Sequence, residues 1–522
     1  MPKQILRSRL TARITTLMLL APMGGLLTGC GAFSPAVEPL ALVETVSPSE
    51  FTIETTIDDK FEKPRGDADP IELSRAMASV SSGASLLTDT AIVDPIVRPV
   101  STVSALFSLT AKSVGGFLKR SAITTVSLPG LEKKPIPDLS NAAAMDLKKW
   151  ELDLDEIVGN RPSLGTIEYL VDGAEYFPRL IESIVGAEHS IDLRTYIFDN
   201  DDVALQMADL LKSKSEELDV RILVDGLGDL FATNIDSESM PADVQLPGSI
   251  SRYLEKDSNV RVRKQSNPWF TGDHVKTTIV DQKLAYVGGM NIGREYRYDW
   301  HDLMMEVKGP VVGKLQFEFD KTWEKSSFMG DIAWFSRNLR GYESNPAGEG
   351  YPIRVLSTTI HDSQIYRAQL EAIRRARDYI YIENAYFSDD NVLYELVRAR
   401  RRGVDVRVVM ASSGDSGTMN LSNEVTINRM LSNGIRVYSY PGMTHVKAAV
   451  FDGWACLGSA NFDKLSLQVN KEINLGTSHP EAVQQLLERV FLPDFAASDE
   501  LHDSIPVGWS HRVAEFISDE MF

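Results

Sequence analysis

His274-Val-Lys276, followed by Asp281 and then Gly288-Gly289-Met290-Asn291, returns later in the chain. There it reads His445-Val-Lys447, then Asp452, then Gly458-Ser459-Ala460-Asn461. The offsets from His to Lys and to Asp are the same in both copies, and the second copy is one residue shorter after its Asp. On an extended strand, a His and a Lys two apart project from the same face. Two such faces brought together would form a cationic, histidine-bearing pocket suited to a phosphodiester.

The flanks repeat as well. Ile191 to Phe198 corresponds to Ile380 to Phe387, and each is preceded by a helix-like run, Phe177 to Ala187 and Tyr366 to Ala376. Each is followed by a strand, Val220 to Val224 and Val406 to Met410. A further short strand leads toward each motif, Val260 to Val262 and Ile435 to Val437. This is an internally duplicated α/β unit with its element order preserved. It predicts two pseudo-twofold related lobes, 151–335 and 336–522 with a C-terminal tail, sharing one active site. The first copy carries extra sequence between Asp225 and Ser258, rich in Asp, Ser, Gly and Pro, which reads as a surface loop.

Within the motifs, Lys276 and Lys447 are expected to make charge-assisted hydrogen bonds to a phosphate. Asn291 and Asn461 would donate to the same oxygens. Gly288, Gly289, Gly458 and Ser459 would let the backbone come close. The histidine pair would divide the labour, one imidazole attacking phosphorus and the other protonating the leaving alkoxide. No metal or other cofactor is required, because Lys and Asn neutralise the developing charge. Asp281 and Asp452 lie out of phase with the His and Lys. Asp281-Gln282-Lys283 and Asp452-Gly453 read as hairpin turns, so these aspartates are assigned a structural role. Asp302 follows His274 by 28 residues and Glu472 follows His445 by 27. Each is the expected partner of the histidine of its own copy, holding the useful tautomer and stabilising the cation.

The N-terminus reads as an export signal. Lys3, Arg7, Arg9 and Arg13 precede an apolar run that ends in Leu27-Thr28-Gly29-Cys30, with no acidic residue. That ending resembles a bacterial lipoprotein cleavage box, which implies removal of 1–29 and acylation of Cys30. Gly31 rather than Asp follows, which favours an outer-membrane lipoprotein facing the periplasm. The second of the chain's two cysteines, Cys456, lies in an apolar strand and is expected in the core. Residues 30–150 read as a tether. Within it, Pro95 to Gly130 carries Arg98, Lys112, Lys119 and Arg120 and no acid. Its apolar residues recur at helical spacing, compatible either with a lipid surface or with packing against the catalytic body. The net charge is −19, and about −23 once the leader is removed, which disfavours nucleic acid as a partner.

With their Gly, Ser and Asn followers, the doubled motifs resemble the signature of the phospholipase D superfamily over about Leu164 to Asp494. The nearest likeness is to bacterial cardiolipin synthases. Gly288 to Tyr296, then Trp300, Asp302 and Gly309-Pro310, carry it in the first copy. Gly458 to Asp463, with Ser466, Asn470 and Glu472, carry it in the second. The resemblance implies a two-lobed α/β/α sandwich, a phosphohistidine intermediate and a phospholipid substrate such as phosphatidylglycerol. It points to His274 as nucleophile and His445 as acid and base, with the reverse open, and supports Asp302 and Glu472 as orienting groups. With both motifs in one chain, a monomer is expected. The sequence departs from the synthases at Gly272 and Leu465, where they often carry Arg, and in the shorter second motif. Their paired transmembrane helices are also missing. These differences bear on donor and acceptor lipids more than on phosphoryl chemistry. A secreted nuclease or other soluble phosphodiesterase, and a non-catalytic lipid-binding envelope protein, are the alternatives. Trp269, Phe270, Met443 and Thr444, just before the histidines, are candidates for an apolar entrance.

Overall fold

The computed structural model describes residues 81–521 apart from 82, 235–236, 238, 242–243, 266–270, 329 and 341–347. The leader 1–29, Cys30, Trp269 and Phe270 therefore lie outside the described residues. The described residues fall within one compact unit, so the two lobes are not separable by their contacts.

The first lobe supplies β1 (Ser163–Val171), β2 (Ser190–Thr195), β3 (Asp219–Asp225), β4 (Arg261–Gln265), β5 (Thr277–Val280), β6 (Leu284–Gly288) and β7 (Leu303–Lys308). The second supplies β8 (Tyr351–Thr358), β9 (Tyr379–Asn384), β10 (Asp405–Ala411), β11 (Arg436–Tyr440), β12 (Lys447–Phe451), β13 (Trp454–Gly458), β14 (Glu472–Thr477) and β15 (Asp499–Leu501). Among the described residues these make a single sheet in the order β15-β11-β10-β9-β12-β13-β14-β8-β1-β7-β6-β5-β2-β3-β4. Read outward from the β1–β8 seam, each half repeats the other, β7 matching β14, β5 matching β12 and β2 matching β9. β1 and β8 pair antiparallel, with Leu164 opposite Pro352. An antiparallel pair has a local twofold at its centre, so the duplicated sequence becomes a pseudo-twofold body there.

Each lobe is layered by period-two alternation. On β3, Val220, Ile222 and Val224 face the helices at Asp172–Val185 and Asp202–Lys214, whereas Leu223 faces a core shared by both lobes. β12 does the same, with Ala449 and Phe451 on the second lobe's own core and Ala448 and Val450 on the shared one. The helices that matter here are α1 (Pro99–Ala122), α2 (Leu147–Val158), α3 (Asp172–Val185), α4 (Asp202–Lys214), α5 (Val311–Lys325), α6 (Gly330–Arg340), α7 (Gln364–Arg375), α8 (Asp390–Arg400), α9 (Lys464–Gln468) and α10 (Leu492–Ala497). α2 starts where Asp146 accepts from Lys148 N and Lys149 N, and it stops at Gly159, whose φ of 72° suits a residue without Cβ. It buries Trp150, Leu154 and Val158 on the second lobe. Such side chains stabilise by about 1.5–3 kcal/mol each. α5 places Val312, Leu315, Phe319 and Trp323 in the shared core. Both faces of the sheet are thus covered, as expected of the sandwich.

The stretch from Asp225 to Ser258 is not simply a loop. It contains helices at Gly226–Asn234 and Ile250–Glu255, the latter capped by Ser249. Cys456 is buried on β13, its thiol pushed up to about 12 by burial. The 95–130 region forms α1 and its continuation through Leu128–Glu132, lying against the catalytic body.

Candidate active site

His274 and Lys276 immediately precede β5, and Lys447 opens β12 with His445 two residues before it. These strands occupy matching places in the two halves of the sheet. The turn lengths account for the missing residue. Asp281-Gln282-Lys283 joins β5 to β6, and Asp452-Gly453 joins β12 to β13. Asp281 and Asp452 both take positive φ, 51° and 49°. Asp281 accepts from the backbone N–H groups of Glu188, His189 and Ser190, and Asp452 from those of Arg377, Asp378 and Tyr379. Each aspartate therefore ties a motif hairpin to the start of β2 or β9, far from the histidines. Burial works against its charge, yet those donors hold the Asp281 carboxyl below its ordinary range.

The histidines pair across the lobes, and here the expected same-copy pairing is corrected. His274 Nδ1 lies 3.1 Å from Glu472 Oε1, and His445 Nδ1 lies 2.6 Å from Asp302 Oδ2. The backbone explains the exchange. His274 N donates to Lys471 O, beside Glu472, and His445 N donates to His301 O, beside Asp302. Each motif strand thus runs alongside the acid-bearing segment of the other lobe. Sequence offsets measure distance along one copy and carry no information on this crossing.

The remaining motif residues are arranged around these pairs. Lys276 Nζ donates to His274 O at 2.8 Å and Lys447 Nζ to His445 O at 2.7 Å. Gly289 makes room for an acid rather than for a ligand, since a Cβ there would sit 2.1 Å from Asp302 Oδ1. Ser459, its counterpart, donates its hydroxyl to Glu472 Oε2 at 2.5 Å. Asn291 donates to the Tyr296 hydroxyl and accepts from Thr195 and Ile197 N, so its amide is already engaged. Asn461 is buried with its Oδ1 unpartnered. Met443 is buried among Ala385, Tyr386 and Trp300, and the Thr444 hydroxyl donates to Glu383.

Burial favours the uncharged form of every group here. It drives both imidazoles well below their ordinary value, and the two lysines add to this. It lowers Lys276 markedly and Lys447 to about 8, with Glu472 and Asp302 working in the opposite direction. It raises Asp302 to about 7 and Glu472 to about 8, with the lysines again opposing. Once its partner acid is ionised, each imidazole donates Nδ1–H to a carboxylate and Nε2 keeps its lone pair, as a nucleophile or base needs. A phosphodiester anion between the lysines would restore their charge, and the charged lysines in turn favour ionised Glu472 and Asp302.

A ring of charged residues escaped the sequence reading. Arg194 on β2 makes a buried bidentate pair with Asp273, whose own N–H donates to Asp225. In the other lobe Glu383 on β9 occupies the place of Arg194. It lies near His301, which is held by Asp172 at 2.7 Å and by Asp494 of α10 at 3.2 Å. Burial opposes the His301 cation, but the Asp172 and Asp494 carboxylates outweigh it and raise the imidazole to about 12. His301, Glu383 and Asp494 sit close enough to hold a metal ion. As a cation this imidazole donates to both the Asp172 and the Asp494 carboxylates. The signal for these residues was present as a charge at one repeat position inside two apolar strands, Arg194 and Glu383.

The comparisons with known proteins agree with this architecture. The family model described as "Cardiolipin synthase, PLD-like domain" matches residues 180–323 and 370–491. Cardiolipin synthase B of Salmonella typhi is 30% identical over 322 residues, covering 59% of this chain and 75% of its own. A cardiolipin synthase of Listeria monocytogenes serotype 4a is 29% identical over 348 residues, 64% of this chain and 70% of its own. In three dimensions the chain is similar to the phosphatidylserine synthase of Haemophilus influenzae Rd KW20. The TM-score is 0.54 at 14% identity, covering 70% of this chain and 97% of that one, which bears on fold alone. With its duplicated motifs, its lobes and these relatives, the chain belongs to the cardiolipin synthase-like branch of the phospholipase D superfamily.

Proposed function

We propose that this enzyme is a phosphatidyltransferase that joins two phosphatidylglycerol molecules, or closely related lipids, through a phosphohistidine. The observation that supports this most directly is the crossed arrangement of two imidazole–carboxylate pairs flanked by two lysines. In this reading His274 Nε2 attacks the phosphorus of the donor lipid, and the bond to its glycerol headgroup breaks. His445, its affinity for a proton raised by the bound anion, protonates the departing alkoxide. The neutral His445 then takes a proton from the hydroxyl of a second lipid. That oxygen attacks phosphorus and frees His274, so the proton count closes over the cycle. Lys276 and Lys447 offset charge on the phosphoryl oxygens, and Glu472 and Asp302 hold the two imidazoles. Acylation at Cys30 would keep the enzyme at the cell envelope, on the outer membrane facing the periplasm.

The test is incubation of purified protein with phosphatidylglycerol vesicles, with lipid products resolved by mass spectrometry beside His274→Ala and His445→Ala. Cardiolipin with free glycerol, absent from both variants, is expected. Histidine-dependent phosphatidic acid would mark a hydrolase instead. No histidine-dependent lipid product would overturn the reading in favour of a soluble phosphodiester or a non-catalytic role.

A further inference from the structure

Two apolar helical stretches, Gly83–Val97 and Pro99–Glu132, meet at a bend of 116° around Arg98. Among the described residues no single helix is long and apolar enough to cross a membrane. This arm is fixed to the catalytic body largely by its polar side. Val100 N and Ser101 N donate to Asp331 of α6, and Ser108 meets His361 at 3.1 Å. Lys112 donates to Ser363 and to the carbonyl of Gln468, and Arg120 pairs with Asp390 at 2.8 Å. Its apolar anchors are Ala105, against Ile360 and Val469, and, past the end of α1, Ile123 and Leu128 in the core of the second lobe. The opposite side is carbon. Ile96, Val100, Val103, Phe107, Phe117 and Leu118 are between 51% and 76% exposed. Beside Asp331, Phe328 and Ile332 are exposed as well. A helix packed on a soluble body turns its apolar stripe inward. Here the stripe is turned outward, over a length far beyond scattered surface residues.

Two further observations indicate what covers it. In a chain of net charge −19, the stretch from 95 to 130 has four basic residues and no acid. Where α1 crosses the second lobe, a cavity of about 220 Å³ opens, lined by Lys112, Lys119, Arg120 and Lys464 beside Gly115 and Gly116. Of its two acids, Asp390 is already paired with Arg120 and Arg429, and Asp389 caps α8 through Asn391 N and Val392 N. Four basic groups against two acids leave the cavity a basic bias, and it is lined by the same helix that carries the apolar face, as a phosphate-bearing headgroup requires.

We propose that this arm is a membrane-docking element whose outward face enters the acyl layer of an anionic bilayer while the basic cavity takes an anionic phospholipid headgroup. This rests on the reading of the chain as an enzyme of phospholipids. Docking would hold the body at a fixed side to the surface, independently of any acyl chain at Cys30.

The full chain carrying Phe107→Trp is mixed with phosphatidylglycerol vesicles containing acyl-brominated lipid and, separately, with brominated phosphatidylcholine vesicles. The added tryptophan is expected to shift to the blue and to lose at least half its emission on the anionic vesicles. Combining it with Lys119→Glu and Lys464→Glu should weaken the quenching severalfold. Unquenched emission from Phe107→Trp on vesicles that float with the protein would overturn the proposal. So would a blue shift that depends on protein concentration without lipid, which would mean a second copy covers the face. Turnover of monomeric short-chain phosphatidylglycerol is measured in parallel. Turnover without quenching overturns the arm alone, whereas quenching without turnover on any phospholipid overturns the proposed function and leaves the arm standing.

Discussion

Glu472 contacts His274 from the opposite lobe, 198 residues away, its Oε1 lying 3.1 Å from the imidazole Nδ1. Asp302 does the same for His445. Neither lobe alone contains a complete pair, so closing the β1–β8 seam and assembling the site are one event. Both acids are fully buried, which leaves water unable to replace either one.

Replacing the acids should therefore cost turnover more than binding. Glu472→Gln and Asp302→Asn keep shape but lose the charge that stabilises the imidazolium. A fall in kcat of about 10²–10⁴-fold is expected for each, with KM changed by less than threefold. The double variant should fall much less than the product of the two, because the pairs act in one cycle. Steady-state kinetics on phosphatidylglycerol measure this. A loss under tenfold in both single variants would remove the pairs from the mechanism.

The same substitution should make the fold more robust in alkali. Burial raises the Glu472 carboxyl from 4.5 to about 8, so the folded state holds its proton more tightly than the unfolded chain. Stability from this group is full below pH 4.5 and declines as the pH climbs to 8. Glutamine does not ionise and is spared the decline. Glu472→Gln should gain on the parent between pH 5 and pH 8 by at least about 1 kcal/mol. Urea midpoints at the two pH values give the answer, and a constant gap would refute the buried-carboxylate account.

His301 behaves in the same sense but with the opposite consequence for its substitution. Its imidazole is raised from 6.5 to about 12, so its contribution is full below pH 6.5 and is lost as the pH rises toward 12. His301→Gln leaves the buried Asp494 without its cation, costing about 3 kcal/mol at pH 6. The deficit should shrink steadily between pH 7 and pH 10, when measured as the difference in unfolding free energy from the parent. A deficit that grows with pH would mean His301 is neutral in the fold.

The residues of the site were legible in the sequence to an unequal degree. The doubled His-Val-Lys and its flanking strands predicted two lobes, and the hairpin chemistry of Asp281 and Asp452-Gly453 anticipated the unequal turns. Those features are local, set by spacing and backbone preference. The exchange of Asp302 and Glu472 was not legible, because it depends on how two separately folded segments lie beside each other. Nor was the seam itself, since β1 and β8 carry no motif and their pairing is a tertiary fact. The α1 stripe could be read as amphipathic, but its direction depends on Asp331, Ser363 and Asp390, all distant in sequence.

Gly289 and Ser459 occupy equivalent places yet should respond differently to the same side chain. A methyl group at 289 would overlap Asp302 Oδ1, which also accepts from Leu303 N at 2.7 Å and would lose that bond on moving away. Gly289→Ala must therefore push the carboxylate off His445, and a loss of at least about 100-fold in kcat is expected, similar to Asp302→Asn. Ser459→Ala removes one hydroxyl donor from Glu472 and leaves its contact with His274 in place. Its cost should stay near tenfold, in line with about 1.4 kcal/mol for one buried hydrogen bond. Parallel kcat measurements on the two alanine variants decide the point. If Ser459→Ala proved the more damaging, the small residue at 289 would be serving a ligand rather than Asp302, and the packing argument for the first motif would fall.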